Sequence, residues 1–263
     1  MTATADVDRF LIFDIGTVPD EGILEHFSPK APTTNVPPIA SRIICISFLG
    51  GCVAKRIIAE RGGSLGTPDT AEADLLREFW RCMKGRAPTL VTWNGRRFAI
   101  PVLLHRSLLH GVSAAPWYAG ARYDGFDYRY VDHHIDLMDL MLDYGAIRSY
   151  GLDAVAASLG LPGKTIGEGS DVQAMFAQGE IDKIRANCEC DCLNIFGLYL
   201  RWSMLTGRLN EADLKDCRRL LESFLERERS IRPHYGAFLD VWRNPKPAMS
   251  LANCEIHTSE TAL

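Results

Sequence analysis

Apolar positions fall in short unbroken runs over the first half of the chain and at helical spacing over the second. Phe10-Leu11-Ile12-Phe13 leads into Asp14 and predicts a strand over 9–17. After the proline-rich stretch PKAPTTNVPPIA, the run RIICISFL predicts a buried strand over 42–49, with 53–60 as its hairpin partner and 62–67 as a loop. Over 69–84, Leu75, Leu76, Phe79, Trp80 and Met83 recur at helical spacing, with Asp69 or Thr70 as the expected cap. TLVTW predicts a short strand over 89–93. A helix follows over 98–110, with Pro101 tolerated only in its first turn. A last strand over 134–137 runs into a helix over 138–143. From Leu152 the pattern is helical, including a long helix over 181–205 and an amphipathic one in LKDCRRLLESFLERERS. The stretch from Ile231 reads as proline-containing and irregular, with a mobile tip ANCEIHTSETAL.

Strands that alternate with helices, followed by helices alone, predict an α/β domain with a mixed central sheet over 1–207. A helical C-terminal extension and irregular tail take up 208–263. Hydrophobic residues make up 47% of the 263 positions, enough for a sizeable core. A formal net charge of −4 excludes nucleic-acid binding by bulk charge, so any such binding must use a local groove. No apolar run is long enough for a membrane span, and MTATADVDRF lacks the pattern of an export signal. The expectation is a cytoplasmic protein whose 8 cysteines are free thiols. Within NCECDC, residues two apart leave a helix on different faces, so only Cys188 and Cys192 converge; the three thiols read as small core residues rather than a zinc site.

Three segments bear on chemistry: FDIGTVPD in the first strand, TLVTWNGRRFAIPVLLHR joining a strand to a helix, and NCECDCLN in the late helix. With HIDLMDL and GLDAVAASLGLPGK between them, in this order, they resemble the predicted 3′-5′ exonucleases related to the exonuclease domain of family B DNA polymerases. That family belongs to the DEDD group and has a ribonuclease H-like fold. The resemblance runs from about Arg9 to Arg201. It implies two-metal phosphodiester hydrolysis, in which four carboxylates hold magnesium or manganese ions. It also implies a departure from the pattern. Asp14 matches the first carboxylate and Asp191 the last. Gly16 stands where the family has Glu, and Ala99 where it has the second Asp. Asn187 replaces the Tyr that orients the attacking water, and Ala186 stands at the alternative His position.

Two ligands of four imply no metal pair, or a weakly bound magnesium or manganese ion at Asp14 and Asp191. The expected function is a degenerate exonuclease-like protein that binds single-stranded DNA or RNA, or a protein partner, with weak hydrolysis or none. One alternative is an active enzyme with substitute ligands, Asp136 before Asp139 and Glu189. Against it, Asp136 also suits the cap of the following helix, and Glu189 should point away from Asp191. Another alternative is a protein-interaction scaffold. Asn94, Arg96, Arg97 and Phe98, beside the missing second carboxylate, are the expected nucleic-acid contacts. The stretch 117–130 interleaves aromatics with Arg122 and Arg129, and suits either packing or base stacking. His133-His134 reads as one buried and one exposed histidine. Lys164 is read as solvated.

Overall fold

The computed structural model describes residues 8–27, 36–84, 88–119, 134–148, 150–164 and 172–245. Strands β1 (Asp8–Pro19), β2 (Ser41–Val53), β3 (Ile57–Ser64), β4 (Thr89–Thr92) and β5 (His134–Asp136) form one sheet in the order β3-β2-β1-β4-β5. The first three are antiparallel neighbours, while β4 and β5 run parallel to β1. A mixed five-stranded sheet with helices on both faces is the ribonuclease H-like α/β fold.

Alternation along β1 explains the two layers. Phe10 and Ile12 point to one face and pack with Phe196, Leu193 and Tyr199 of the long helix α8 (Ile181–Leu205). Leu11, Phe13 and Ile15 point to the other and meet α2 (Glu72–Cys82) and α3 (Ile100–Leu109). Both faces are therefore buried, as expected of a sheet covered on two sides. The same alternation aims Asp14 and Gly16 at the α8 side. Between α3 and β5 stands α4 (Ala115–Ala119), and after β5 come α5 (Leu137–Met141), α6 (Leu152–Ser158) and α7 (Val172–Ala177).

Several boundaries differ from the pattern reading. Strand β2 continues through Val53, so its partner β3 begins only at Ile57 and includes Gly62 and Gly63, which look like loop residues in the sequence. Those glycines serve close approach rather than a turn. A Cβ at 62 would lie 2.8 Å from the Tyr235 hydroxyl, and one at 63 would lie 2.7 Å from an Arg232 nitrogen. Helix α2 starts later than expected, with Ala71 as an N-cap that offers no side chain. Thr70 is instead spent on a turn, its hydroxyl accepting from the Thr67 amide at 2.7 Å.

The described part of the C-terminal stretch is helical rather than irregular. Helix α9 (Glu211–Glu228) is followed by α10 (Pro233–Arg243), which starts on its proline and buries Tyr235, Phe238, Leu239 and Trp242. Both helices share one core with α8 and the sheet. The tip ANCEIHTSETAL, residues 120–130 of the aromatic stretch, and His133 lie outside the described residues. Among the described residues, no helix is long and apolar enough to cross a membrane.

Candidate active site

Asp14 lies just past Ile12, the last β1 residue paired with β4, so its side chain emerges where the sheet opens. It is not at the strand end, because β1 continues alongside β2 to Pro19. Helix α8 brings Asp191 to the same place, together with Cys188. Both acids are half-buried. Burial pushes the Asp14 carboxyl up to about 6, against the pull of a hydrogen bond with Cys188. Burial also drives Asp191 well above the carboxylate range; the neighbouring charges of Asp14 and Asp153 add to the rise, and Lys164 opposes it. Lys164 itself is tied to Asp153, 3.3 Å away.

Gly16 is one full pleat beyond Asp14, and the space above it is filled. A Cβ at 16 would lie 2.6 Å from Cys45 Sγ, 3.1 Å from Ile184 Cγ2 and 3.6 Å from Cys188 Sγ. Cys45 comes from β2, while Ile184 and Cys188 come from α8; with Met175 they form a separate small apolar cluster. Sequence reasoning did not single out Cys45 or Ile184, because both read as ordinary members of buried elements. The available signal was the glycine itself, since a residue without a side chain in mid-strand marks a close approach. Asp153, an acid near Asp191, also went unnoticed in a helix that reads as packing.

The second carboxylate position belongs to a different environment. Ala99 ends a π-helical turn, Gly95–Ala99, and is buried in the cluster on the α2–α3 side of the sheet. Asn94 precedes that turn with φ 61°, a left-handed geometry that asparagine tolerates. Gly95 is required there, because a Cβ would meet Thr92 Oγ1 at 2.3 Å. Phe98 packs partly buried against the same cluster.

Asp136 is where sequence placed it, at the end of β5, and its carboxylate is committed to structure. It accepts from the amides of Asn94 (3.0 Å), Arg96 (2.8 Å), Met138 (3.1 Å) and Asp139 (3.4 Å). It therefore caps α5 and stitches the β4–α3 turn to β5. Arg96 lies beneath this turn. It donates to the His134 carbonyl at 2.8 Å and approaches Asp139 at 3.7 Å, with its side chain only 14% exposed. Arg97 is half-exposed and meets the other Asp139 oxygen at 3.4 Å. Of the expected nucleic-acid contacts, Arg97 alone has a guanidinium with substantial exposure. His134 is buried, hydrogen-bonded to Thr92 Oγ1 at 2.8 Å, and pulled down to about 3 by burial and then by the Arg96 charge.

Glu189 points away from Asp191. It accepts from Ser64 at 2.7 Å and pairs with His234 at 2.8 Å, tying α8 to β3 and α10. Burial alone would raise its pKa, but these partners and Arg232 hold it below the usual range.

A pair of divalent cations, which the ribonuclease H-like exonuclease pattern implies, does not fit these residues. The space for a strand-one glutamate holds sulfur and a methyl group. Position 99 is closed into the core, and the substitute candidates Asp136 and Glu189 are saturated. Among the described residues, no three His, Cys, Asp or Glu side chains converge in a metal-binding arrangement.

Comparison with known proteins agrees with the architecture. Among the solved structures that match is the family B DNA polymerase of the hyperthermophilic archaeon Pyrobaculum calidifontis, at 16% identity and a TM-score of 0.52. The match covers 85% of this chain but only 29% of the polymerase, so the likeness is one of fold over a portion of that enzyme. No curated protein matches by sequence. A family model matches residues 34–242, beginning after the strand that carries Asp14 and extending through most of α10. The chain belongs to the family described as predicted 3′-5′ exonucleases related to the exonuclease domain of PolB.

Proposed function

We propose that this chain is a non-hydrolysing member of its family that binds single-stranded nucleic acid along the old exonuclease cleft. The observation that carries the loss of hydrolysis is the filled space at Gly16, where Cys45 Sγ would stand 2.6 Å from any Cβ. A missing ligand leaves a gap that water or another donor fills. Here the neighbours have closed over the position, which supports a lasting change of use. Each absent carboxylate also removes a charge aimed at the transition state, a loss that commonly costs a hundredfold or more. Support for nucleic acid as the ligand comes from the family and from the half-exposed Arg97 on the turn between β4 and α3.

The test is incubation of labelled single-stranded DNA and RNA oligonucleotides with magnesium or manganese, read both by fluorescence anisotropy and on a sequencing gel. The expected result is binding without shortening. Robust shortening that Asp14→Ala abolishes would overturn the loss of hydrolysis. Binding to neither oligonucleotide would overturn the ligand assignment and leave the protein-interaction scaffold as the reading.

A further inference from the structure

We propose that Cys45 and Cys188 are a disulfide-forming pair, a modification site that ties β2 to α8 across the space above Gly16. The two sulfurs lie 3.6 Å apart, with the Cys45 thiol donating to Cys188. Forming the bond requires them to approach by about 1.5 Å. Gly16 matters to that movement: a Cβ there would lie 2.6 Å from Cys45 Sγ and 3.6 Å from Cys188 Sγ, so any side chain would wedge against the pair, and none is present.

The setting also defines how the pair reacts. Cys45 is completely buried and Cys188 is 6% exposed, so an oxidant reaches Cys188 first. With a peroxide, Cys188 sulfur attacks one oxygen, giving a sulfenic acid and one water. Cys45 sulfur then attacks that sulfur and expels the hydroxyl as a second water. Two thiols and one peroxide become one disulfide and two waters. A small thiol reverses the reaction by exchange. Both thiols are buried, so the pair is a slow trap rather than a fast sensor. The bridge would span 143 residues of sequence. A closure of that length restricts the unfolded chain strongly.

The full chain is incubated for hours with millimolar hydrogen peroxide below its unfolding temperature, quenched with catalase, alkylated in denaturant and mapped without reduction. Exposed Cys82 serves as the internal monitor of oxidant. The expected result is a linked peptide carrying Cys45 and Cys188, two hydrogens lighter than the sum of its parts. The melting temperature should rise by about 5–10 °C, reversibly with dithiothreitol. Both signals should vanish in Cys188→Ala and, independently, in Cys45→Ala, so a folding defect in one variant does not hide the answer. Recovery of both thiols fully alkylated after Cys82 has been oxidised would overturn the proposal. So would a melting rise that persists in either variant, or a linked peptide that forms only once the protein is unfolded.

Discussion

Asp14, on the central strand, and Asp136, at the end of edge strand β5, are acids of one sheet whose surroundings could hardly differ more. Asp136 receives four backbone amides and is completely buried. Asp14 has a hydrogen bond with Cys188, the Ile15 amide, and another acid for a neighbour. Burial raises both carboxyls, but at Asp136 the amides of Arg96, Asp139 and Asn94 pull back. One acid is held because the fold needs it. Burial makes both costly to keep charged, but Asp14 has two hydrogen-bond partners where Asp136 has four.

The sharpest way to break this contrast is to remove each acid. Asp136→Ala would orphan several buried amides, each costing about 1–3 kcal/mol. We expect a loss of roughly 4 kcal/mol or more in urea unfolding, or failure to fold, with Asp136→Asn retaining part of it. A near-neutral Asp136→Ala would remove the distinction between the two acids. Next in size is Gly16→Glu, which drives a charged side chain into Cys45, Ile184 and Cys188. Overpacking and an unpaired buried charge together should cost about 3 kcal/mol. Adding Cys45→Ala should return part of that loss, because the nearest obstructing atom is its sulfur. Restoring Glu at 16, Asp at 99 and Tyr at 187 without such relief should yield an unstable protein rather than an active one.

Asp14→Asn has a smaller and pH-dependent effect of opposite sign. The folded pKa of Asp14, about 6, exceeds the ordinary value of 3.8. Folding therefore favours the protonated form. The stability this contributes is fully present below pH 4 and is lost as pH rises through 6. Asparagine cannot ionise, so the variant should be more stable than the parent by about 1–3 kcal/mol at pH 8 and nearly equal to it at pH 4. Thermal melts across that range provide the check. A parent whose stability rises from pH 4 to pH 8 by the same amount as the variant's would show that Asp14 is well solvated after all.

The two sites were also unequally legible in the sequence. The cap role of Asp136 followed from a strand-then-helix pattern, a local signal. The departures from the family pattern at 16 and 99 could be read because the motifs around them keep their order. What fills the space at 16 could not be read: Cys45 is 29 residues away along the chain, Ile184 farther still, and neither carries a mark beyond being apolar. Helix α10 was missed for a related reason. Its prolines at 233, 245 and 247 signal irregularity, yet Pro233 suits a first helical turn, and the aromatic spacing Tyr235, Phe238, Trp242 makes sense only against the core it packs on. Gly62 and Gly63 looked like a loop because the tyrosine and arginine that crowd them come from that helix and its N-cap.

The smallest expected effect concerns Arg97, which stands at the Asp136 end yet is half-exposed. Its pairing with Asp139 at 3.4 Å is an exposed one on the arginine side. Such pairs contribute about 0–1 kcal/mol, so Arg97→Ala should leave urea unfolding almost unchanged. Binding is where it should register. If a strand runs past the β4–α3 turn, loss of one phosphate contact weakens oligonucleotide affinity across sequences and lowers the salt slope by about 1. Arg96→Ala provides the counterpart, since its guanidinium lies under the turn and holds the His134 carbonyl; it should damage stability first and binding only through the fold. If Arg97→Ala leaves both affinity and salt slope intact, the Asp136 end is scaffold alone, and any strand binding must lie elsewhere along the cleft.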